Sequence, residues 1–246
     1  MSEWYKNWFA SEEYLKVYRH RDEEDANDLL NLILSSTNLS AGSNVLDAAC
    51  GAGRHSVPLR EKGFNITAFD LSKALLKIGL RNSQKLKLKI DFFCSDIRNV
   101  PLKSKFDLII NLFTSFGYFD TDEENFLFIK KSKDFLFDGS YFAFDYLNKN
   151  ELIENLVPET KKSQNGKTYL ERRYISKGRV IKEIIITGNG ESNNYIESVK
   201  LYSPEEMILL FEKSGFIIKD IYGDYKGNPF NKDKSGRLII IAQNKG

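Results

Sequence analysis

The sequence has little cysteine and histidine, and it has no long apolar run. Two cysteines, Cys50 and Cys94, do not make a disulfide framework, so we interpret both as buried thiols of a reducing compartment. The two histidines, His20 and His55, lie far apart without other ligating side chains at metal-ligand spacing, and we expect no metal. The longest apolar run, residues 106–119, is interrupted by polar residues and is shorter than the ~20 residues of a membrane-spanning helix.

Net charge is also small. The 36 basic and 34 acidic residues leave +2, which is too little to indicate nucleic-acid binding by itself. The first residues lack the basic flank and apolar stretch of a secretory signal. We therefore expect a cytoplasmic monomer or homodimer that has no membrane partner and no preference for nucleic acid.

The sequence does contain the composition of an ordinary globular protein, with 41% hydrophobic and 28% charged residues. After Ala41 and Gly42, short apolar runs alternate with amphipathic stretches, a pattern typical of βα units and an α/β fold with a parallel sheet. Apolar residues at helical spacing predict a helical cap over residues 1–40. The predicted strands are Asn44–Ala48, Asn65–Asp70, Lys89–Cys94, Phe106–Asn111, Tyr141–Tyr146, Phe216–Tyr222 and Leu238–Gln243. The predicted helices are Arg54–Glu61, Lys73–Asn82, Thr121–Phe135 and one that starts at Pro204 after an N-cap at Ser203.

A different period appears between the fifth strand and the Pro204 helix. From Lys167 to Tyr202 apolar and polar residues alternate with a period of two, which predicts antiparallel strands. We place this β insertion at residues 160–202. It separates residues 41–150 from residues 203–246 of the main domain.

A glycine-containing loop follows the first strand directly. Gly51 and Gly53 let a ligand approach the backbone at the carboxyl end of that strand. Dinucleotide-binding loops have a third glycine where this chain has Ser56. Asp47, at the end of the strand, would repel a pyrophosphate and attract the cationic groups of S-adenosylmethionine (SAM). The alternative is that Asp47 only caps amides of the loop.

Two more acids end the next two strands. Asp70, nineteen residues after Gly51, is suited to accept both ribose hydroxyls of an adenosine. Alternatively, it caps the following helix. Asp96 is placed to accept from the adenine amine while Ile97 covers the ring. Because strand ends of a parallel sheet meet at one edge, these acids are expected to share a site.

The segments Asp47–Gly53 and Phe106–Asn111, together with Asp70 and Asp96, resemble the successive motifs of class I SAM-dependent methyltransferases. The resemblance implies SAM as cofactor and a Rossmann-like seven-stranded sheet with helices on both faces and an antiparallel last strand. The first motif departs from the commoner form, which has glycine at Ala49. Residues Tyr14 to Asp22 resemble the cofactor-covering cap of small-molecule branches, the alternative being a solvated helix face. The candidate cofactor-binding residues are Tyr18, Arg21, Asp47, Ala49, Gly51, Gly53, Arg54, Asp70, Leu71, Asp96, Ile97 and Leu112.

The same resemblance places the methyl acceptor at the aromatic loop after the fourth strand. The insertion resembles the extra sheet of methyltransferases that act on small amines and amino sugars, so a small-molecule acceptor methylated at nitrogen or oxygen is expected. No Asp-Pro-Pro-Tyr tetrad or Pro-Cys pair of nucleobase methyltransferases is present. The candidate acceptor-pocket residues are Phe113, Phe116, Tyr118, Phe230 and Arg237, with core packing as the competing interpretation for each phenylalanine.

No catalytic side chain is assigned, because alignment and desolvation alone accelerate an in-line methyl transfer. Tyr118 and His55 are the candidate proton acceptors. The insertion is rich in basic residues, which are compatible with an acceptor that carries a negative charge. These residues are Arg172, Arg173, Lys177, Arg179 and Lys182. The alternatives to a small-molecule methyltransferase are an RNA or protein methyltransferase, an NAD(P)-dependent oxidoreductase and a non-catalytic SAM-binding module.

Overall fold

The computed structural model describes residues 3–18, 23–188 and 190–246. In this part of the chain, the helices are α1 (Trp4–Ala10), α2 (Glu12–Val17), α3 (Glu23–Thr37), α4 (Ser56–Glu61), α5 (Lys73–Lys85), α6 (Asp122–Ser132), α7 (Lys149–Glu154) and α8 (Pro204–Lys213). The strands are β1 (Asn44–Ala48), β2 (Asn65–Asp70), β3 (Asp91–Cys94), β4 (Phe106–Asn111), β5 (Leu136–Leu147), β6 (Glu159–Gln164), β7 (Lys167–Ser176), β8 (Arg179–Gly188), β9 (Glu191–Lys200), β10 (Phe216–Tyr222) and β11 (Arg237–Asn244).

Seven of these strands form one sheet in the order β10-β11-β5-β4-β1-β2-β3. Strands β1 to β5 are parallel, and β11 runs antiparallel to both β5 and β10. This is the Rossmann-like sheet with an antiparallel last strand that the sequence predicts. Because β1, β2, β3 and β4 run in the same direction, their carboxyl ends meet at one edge.

Helices cover both faces of the seven-stranded sheet, which explains why its central strands are continuously apolar. On one face, Leu29, Leu30 and Ile33 of α3 pack with strand residues such as Val45 and Leu108. On the other face, Phe128 of α6 and Phe211 of α8 pack with the apolar residues of β5. The predicted start of α8 is confirmed, because Ser203 and Glu206 form a reciprocal capping box and Pro204 occupies the first turn.

The remaining strands form an antiparallel sheet in the order β6-β7-β8-β9. The predicted antiparallel insertion is therefore present, although it begins with a strand, β6, that the alternation did not indicate. No helix within the described ranges combines the length and apolar character needed to cross a bilayer.

Some local predictions were wrong. Strand β5 begins at Leu136 and not at the predicted Tyr141, and Gly139, with φ 81°, lies inside it where the pairing with β4 shifts register. The expectation that both thiols are buried holds for Cys50 only. Cys94 is exposed, because it ends β3 at the edge of the sheet.

Candidate active site

The loop between β1 and α4 bends because three of its residues have positive φ angles. Ala49, Gly51 and Gly53 lie at 58°, 57° and 77°. A Cβ at Gly53 would lie 3.0 Å from the Phe92 ring, whereas the nearest atom to a Cβ at Gly51 is 3.9 Å away. Gly53 thus allows close packing, and Gly51 leaves the backbone open to a ligand.

Asp47 lies behind this loop. Its side chain is 2% exposed and accepts a hydrogen bond of 2.6 Å from Ser56 Oγ. Burial raises the pKa of the Asp47 carboxyl to about 7; the Ser56 hydrogen bond opposes this rise and the charge of Asp70 adds to it. Sequence reasoning treated Ser56 as a missing glycine and did not anticipate that its hydroxyl partners Asp47.

Asp70 connects the ends of two loops. One carboxylate oxygen accepts from the Gly51 N–H at 2.8 Å and the other from the Ser72 N–H at 2.7 Å. The N-cap of α5 is the Ser72 hydroxyl, which accepts from the Leu75 N–H. Each carboxylate oxygen can accept a second hydrogen bond, so Asp70 can hold the loop and bind a ligand at the same time.

Asp96 is held by an arginine. Its carboxylate pairs with the Arg98 guanidinium at 2.7 Å and accepts from the Arg98 N–H at 2.9 Å. Arg98 also pairs with Glu124 of α6 at 2.6 Å. These contacts fix Asp96 and Ile97 at the end of β3.

A cavity of about 560 Å³ opens at this edge of the sheet. Most of the sequence-predicted residues line it: Tyr18, Ala49, Gly51, Arg54, Asp70, Leu71, Asp96, Ile97, Leu112, Phe113, Phe116, Tyr118 and Arg237. Asp47 and Gly53 do not line it. Phe230 instead packs against the apolar cluster that Phe128 of α6 and Phe211 of α8 form with β5. Arg21 lies outside the described residues.

The aromatic loop after β4 forms the other end of this cavity. Phe113 and Thr114 have φ 65° and 62°, which is unusual for residues with side chains. Buried Asp145 holds them: its carboxylate accepts from the Phe113 N–H at 2.9 Å and from Arg237 Nε at 2.8 Å. The Arg54 guanidinium lies 3.9 Å from the centre of the Phe113 ring. The loop is therefore fixed from β5 and β11.

Two predicted acceptor residues have different surroundings. Phe116 is 6% exposed and packs edge-to-face with Phe144 and Tyr146, so it belongs to the core as well as to the cavity wall. Tyr118 packs against Trp4 of α1, with ring centres 5.1 Å apart. Core packing thus accounts for much of the burial of Phe116.

Helix α1 covers the cavity, and sequence reasoning missed its contribution. Trp4, Tyr5 and Phe9 line the cavity, together with Tyr14 of α2. The signal was available, because aromatic residues recur at helical spacing near the start of the chain. Ser72 Oγ donates to the Phe9 carbonyl at 2.8 Å and thereby ties α1 to the start of α5.

The cavity wall contains buried polar atoms that have no hydrogen-bond partner among the described residues and belong to side chains without an ion pair. They include the indole nitrogen of Trp4 and Nε2 of His55. Burial lowers the pKa of His55 to about 3, so its imidazole is neutral. Buried polar groups normally have partners, and a bound ligand would supply them.

Arg179 joins the second sheet to the aromatic loop of the cavity. This side chain is 4% exposed, and its guanidinium donates to the carbonyls of Gly117, Tyr118 and Phe119 at 2.8, 3.1 and 3.0 Å. It also donates to the hydroxyl and carbonyl of Ser198. Arg179, considered above for an anionic acceptor, instead fastens the aromatic loop to β9.

Residues 45–131 match the family described as "Methyltransferase domain". The ubiquinone biosynthesis O-methyltransferase of Nitrobacter winogradskyi is 27% identical over 115 residues, which are 47% of this chain and 42% of that protein. The dTDP-3-amino-3,4,6-trideoxy-alpha-D-glucopyranose N,N-dimethyltransferase of Streptomyces venezuelae is 29% identical over 100 residues, which are 41% of this chain and 40% of that protein. The matches thus span less than half of these relatives.

A solved SAM-dependent methyltransferase from Clostridium acetobutylicum has the same fold, with a TM-score of 0.84 over 95% of this chain and 98% of that chain. Their sequences are 22% identical. Residues 45–131 therefore match a methyltransferase domain, and the chain as a whole has the fold of that SAM-dependent methyltransferase. The family match starts in β1 and ends in α6, so it includes Gly51, Asp70 and Asp96. It includes neither α1 nor the second sheet, which close the cavity from outside the match.

Proposed function

We propose that the chain transfers a methyl group from SAM to a nitrogen or oxygen atom of a small molecule. The observation that carries this proposal is a single cavity with two different ends. One end has the open backbone of Gly51 and the carboxylates of Asp70 and Asp96, and the other has the aromatic loop.

The first end fits SAM. Asp70 would accept the ribose hydroxyls of SAM, while Asp96 and Ile97 would contact the adenine. The open turn at Gly51 would admit the methionine portion, and the Asp47 carboxyl lies behind this turn. Trp4 Nε1 and His55 Nε2 are buried polar atoms that a ligand would satisfy. SAM supplies an activated methyl group on a cationic sulfonium.

The second end fits a compact acceptor. Phe113, Phe116 and Tyr118 supply apolar walls, and the Asp145–Arg237 pair keeps the loop in place. Their task is to exclude water and align the acceptor lone pair with the carbon–sulfur bond, which accelerates transfer without a general base. The relatives named for an O-methyltransferase and an N,N-dimethyltransferase support a small acceptor and both acceptor atoms.

Calorimetry tests the cofactor. SAM and its demethylated product should bind, and NAD should not, because the acidic loop is unsuited to a diphosphate. Asp70→Ala should weaken SAM binding by about 1.5–3 kcal/mol, the scale of hydrogen bonds that involve a charged group. Asp91→Ala, at the exposed start of β3, is the matched control and should bind SAM normally. Tighter binding of NAD than of SAM would contradict the proposal.

Incubation with methyl-labelled SAM and fractionated cell extract tests the acceptor. Label should enter small metabolites. Incorporation into RNA or protein only, with a steep salt dependence for RNA, would show that the acceptor is a macromolecule and refute this part of the proposal.

A further inference from the structure

A second cavity of about 600 Å³ adjoins the first. Tyr18, Arg173 and Lys182 line both cavities and so form the wall between them. Apart from Val17 and the Tyr169 ring, the rest of the second cavity is lined by polar and charged side chains, in contrast to the aromatic first cavity. It lies between α2 and one face of the antiparallel sheet.

Strand register decides which basic residues face this cavity. Thr160 pairs with Glu171, Arg173 with Lys182, and Lys182 with Glu197, so these side chains share one face of the sheet. The alternate residues point to the other face, where Arg172 pairs with Glu159 at 3.0 Å. Five basic residues of the insertion were considered above for contact with an anionic acceptor. Of these five, Arg173 and Lys182 line the cavities and the other three do not.

Positive charge exceeds negative charge around the second cavity. Glu171 is shared by two cations, Arg173 and Lys182, the latter at 3.2 Å. Glu13 is likewise shared, by Lys16 at 3.2 Å and Lys167 at 2.7 Å.

Lys162 also lines the cavity, and no ion pair joins it to any residue in the described ranges. Glu197, which lines the first cavity and not the second, accepts from the neutral donors Trp8 and Tyr18. Among the described residues, four cations and one carboxylate line the second cavity: Lys16, Lys162, Arg173 and Lys182 against Glu171.

Two of these cations are largely removed from water. The side chains of Lys182 and Arg173 are 12% and 22% exposed. Burial lowers the pKa of Lys182, which indicates that its charge is incompletely compensated. An anion would supply that compensation, and the Arg173 guanidinium would offer it hydrogen-bond donors.

We propose that the second cavity binds an anionic group of the acceptor, a phosphate or a carboxylate, while the reacting atom lies in the first cavity. This inference rests on the proposed function, because the two cavities share a wall and the first is assigned to SAM and the reacting group. The acceptor is then a two-part molecule with an apolar or compact end and a charged end.

Calorimetry with two simple anions tests this inference. The protein, saturated with demethylated cofactor, is titrated with inorganic pyrophosphate and, separately, with citrate. Binding of pyrophosphate alone would indicate a phosphate-bearing acceptor, and binding of citrate alone a carboxylate-bearing one; binding of both also supports an anion site. The affinity should fall as salt is added.

Variants locate the site. Lys162→Gln and Lys16→Gln remove exposed cations from opposite walls and should each weaken anion binding about three- to tenfold, since an exposed charge contributes modestly. Lys161→Gln is the matched control, because Lys161 is the preceding residue of β6 on the opposite face. It should change the affinity less than twofold, roughly within the scatter of surface charges.

The results separate this inference from the proposed function. Binding of demethylated cofactor without binding of either anion overturns the anion site and leaves the proposed function standing. Equal weakening by Lys161→Gln and Lys162→Gln also overturns it, because binding would then be diffuse. Failure to bind SAM or its product contradicts the proposed function, whatever the anions do.

Discussion

At the scale of single residues, Asp47 is a carboxyl group held away from water with one hydroxyl donor, Ser56. Burial raises its pKa from 3.8 to about 7, so the folded chain keeps a proton that the unfolded chain releases between these values. The contribution of Asp47 to stability therefore falls as pH rises through about 4 to 7, and above this window the fold contains a buried charge.

Asp47→Asn should consequently stabilise the ligand-free protein at pH 8, by about 1–3 kcal/mol, and change its stability little at pH 5. The amide keeps the shape of the side chain and an oxygen for Ser56, but carries no charge. Urea unfolding at both pH values measures the difference. Asp91→Asn, on an exposed carboxyl, is the control. A gain of the same size at both pH values would show that charge burial is not the cause.

Ala49 is a second residue whose environment can be tested. Its φ of 58° is in the left-handed region, which is unfavourable for residues with a side chain. The class I methyltransferases, which the first motif resembles, commonly have glycine at this position. Ala49→Gly should raise the free energy of unfolding by about 0.5–1 kcal/mol, because relief of strain outweighs the added entropy of the unfolded chain. Ala52→Gly, in the same loop without a positive φ, should destabilise. Chemical denaturation of both variants measures these changes. A lower free energy of unfolding for Ala49→Gly would contradict the presence of backbone strain at Ala49.

At the scale of elements, the sequence predicted strands of the seven-stranded sheet best. The bounds of β1, β2, β4 and β10 agree with the structure, because each is an apolar run bounded by polar or turn-forming residues. Strand β6 was missed, since it is almost wholly exposed and has no apolar alternation to detect. The start of β5 was missed because a glycine with positive φ lies inside a continuing strand.

The candidate site also contains residues that the sequence predicted and contacts that it did not. Gly51, Asp70 and Asp96 could be placed from sequence, because strand ends of a parallel sheet share an edge. The bond from Ser56 to Asp47, the aromatic cover from α1 and the role of Arg179 depend on packing between distant segments. Local sequence carries no signal for such contacts. Phe230 illustrates the limit, since its aromatic character suits a pocket and a core equally.

Arg179 gives the clearest prediction about how elements are joined. Arg179→Met should lower the free energy of unfolding by about 2–4 kcal/mol, because buried carbonyls of the aromatic loop lose their donors. Arg179→Lys should restore little, since one ammonium cannot reach carbonyls on both the loop and β9. Arg172→Met, an exposed neighbour paired only with Glu159, is the control and should stay within about 0.5 kcal/mol. Near-normal stability of Arg179→Met would contradict the fastening role.

At the scale of the whole molecule, α1 joins the two sheets. Trp8 and Trp4 pack with Ile184 and Ile186 of β8 in a third apolar cluster, distinct from the two that cover the seven-stranded sheet. Trp8 Nε1 also donates to Glu197 at 2.6 Å. The bond from Ser72 to the Phe9 carbonyl attaches the same helix to the start of α5. Contacts of the second sheet therefore depend on a helix that also closes the first cavity.

Trp8→Ala tests this arrangement. Trp8 is 1% exposed, so the truncation should remove about 3–5 kcal/mol of packing from the third cluster. Because local stability differs between parts of a protein, amides of β8 and β9 should exchange hydrogen faster, while those of β1 and β4 keep their protection. Hydrogen exchange followed by mass spectrometry resolves these strands. Ile217→Ala, a 43% exposed position on β10, is the control and should leave both sheets unchanged. Equal acceleration in both sheets after Trp8→Ala would mean that they open as one unit, and the separate dependence of the second sheet on α1 would be wrong.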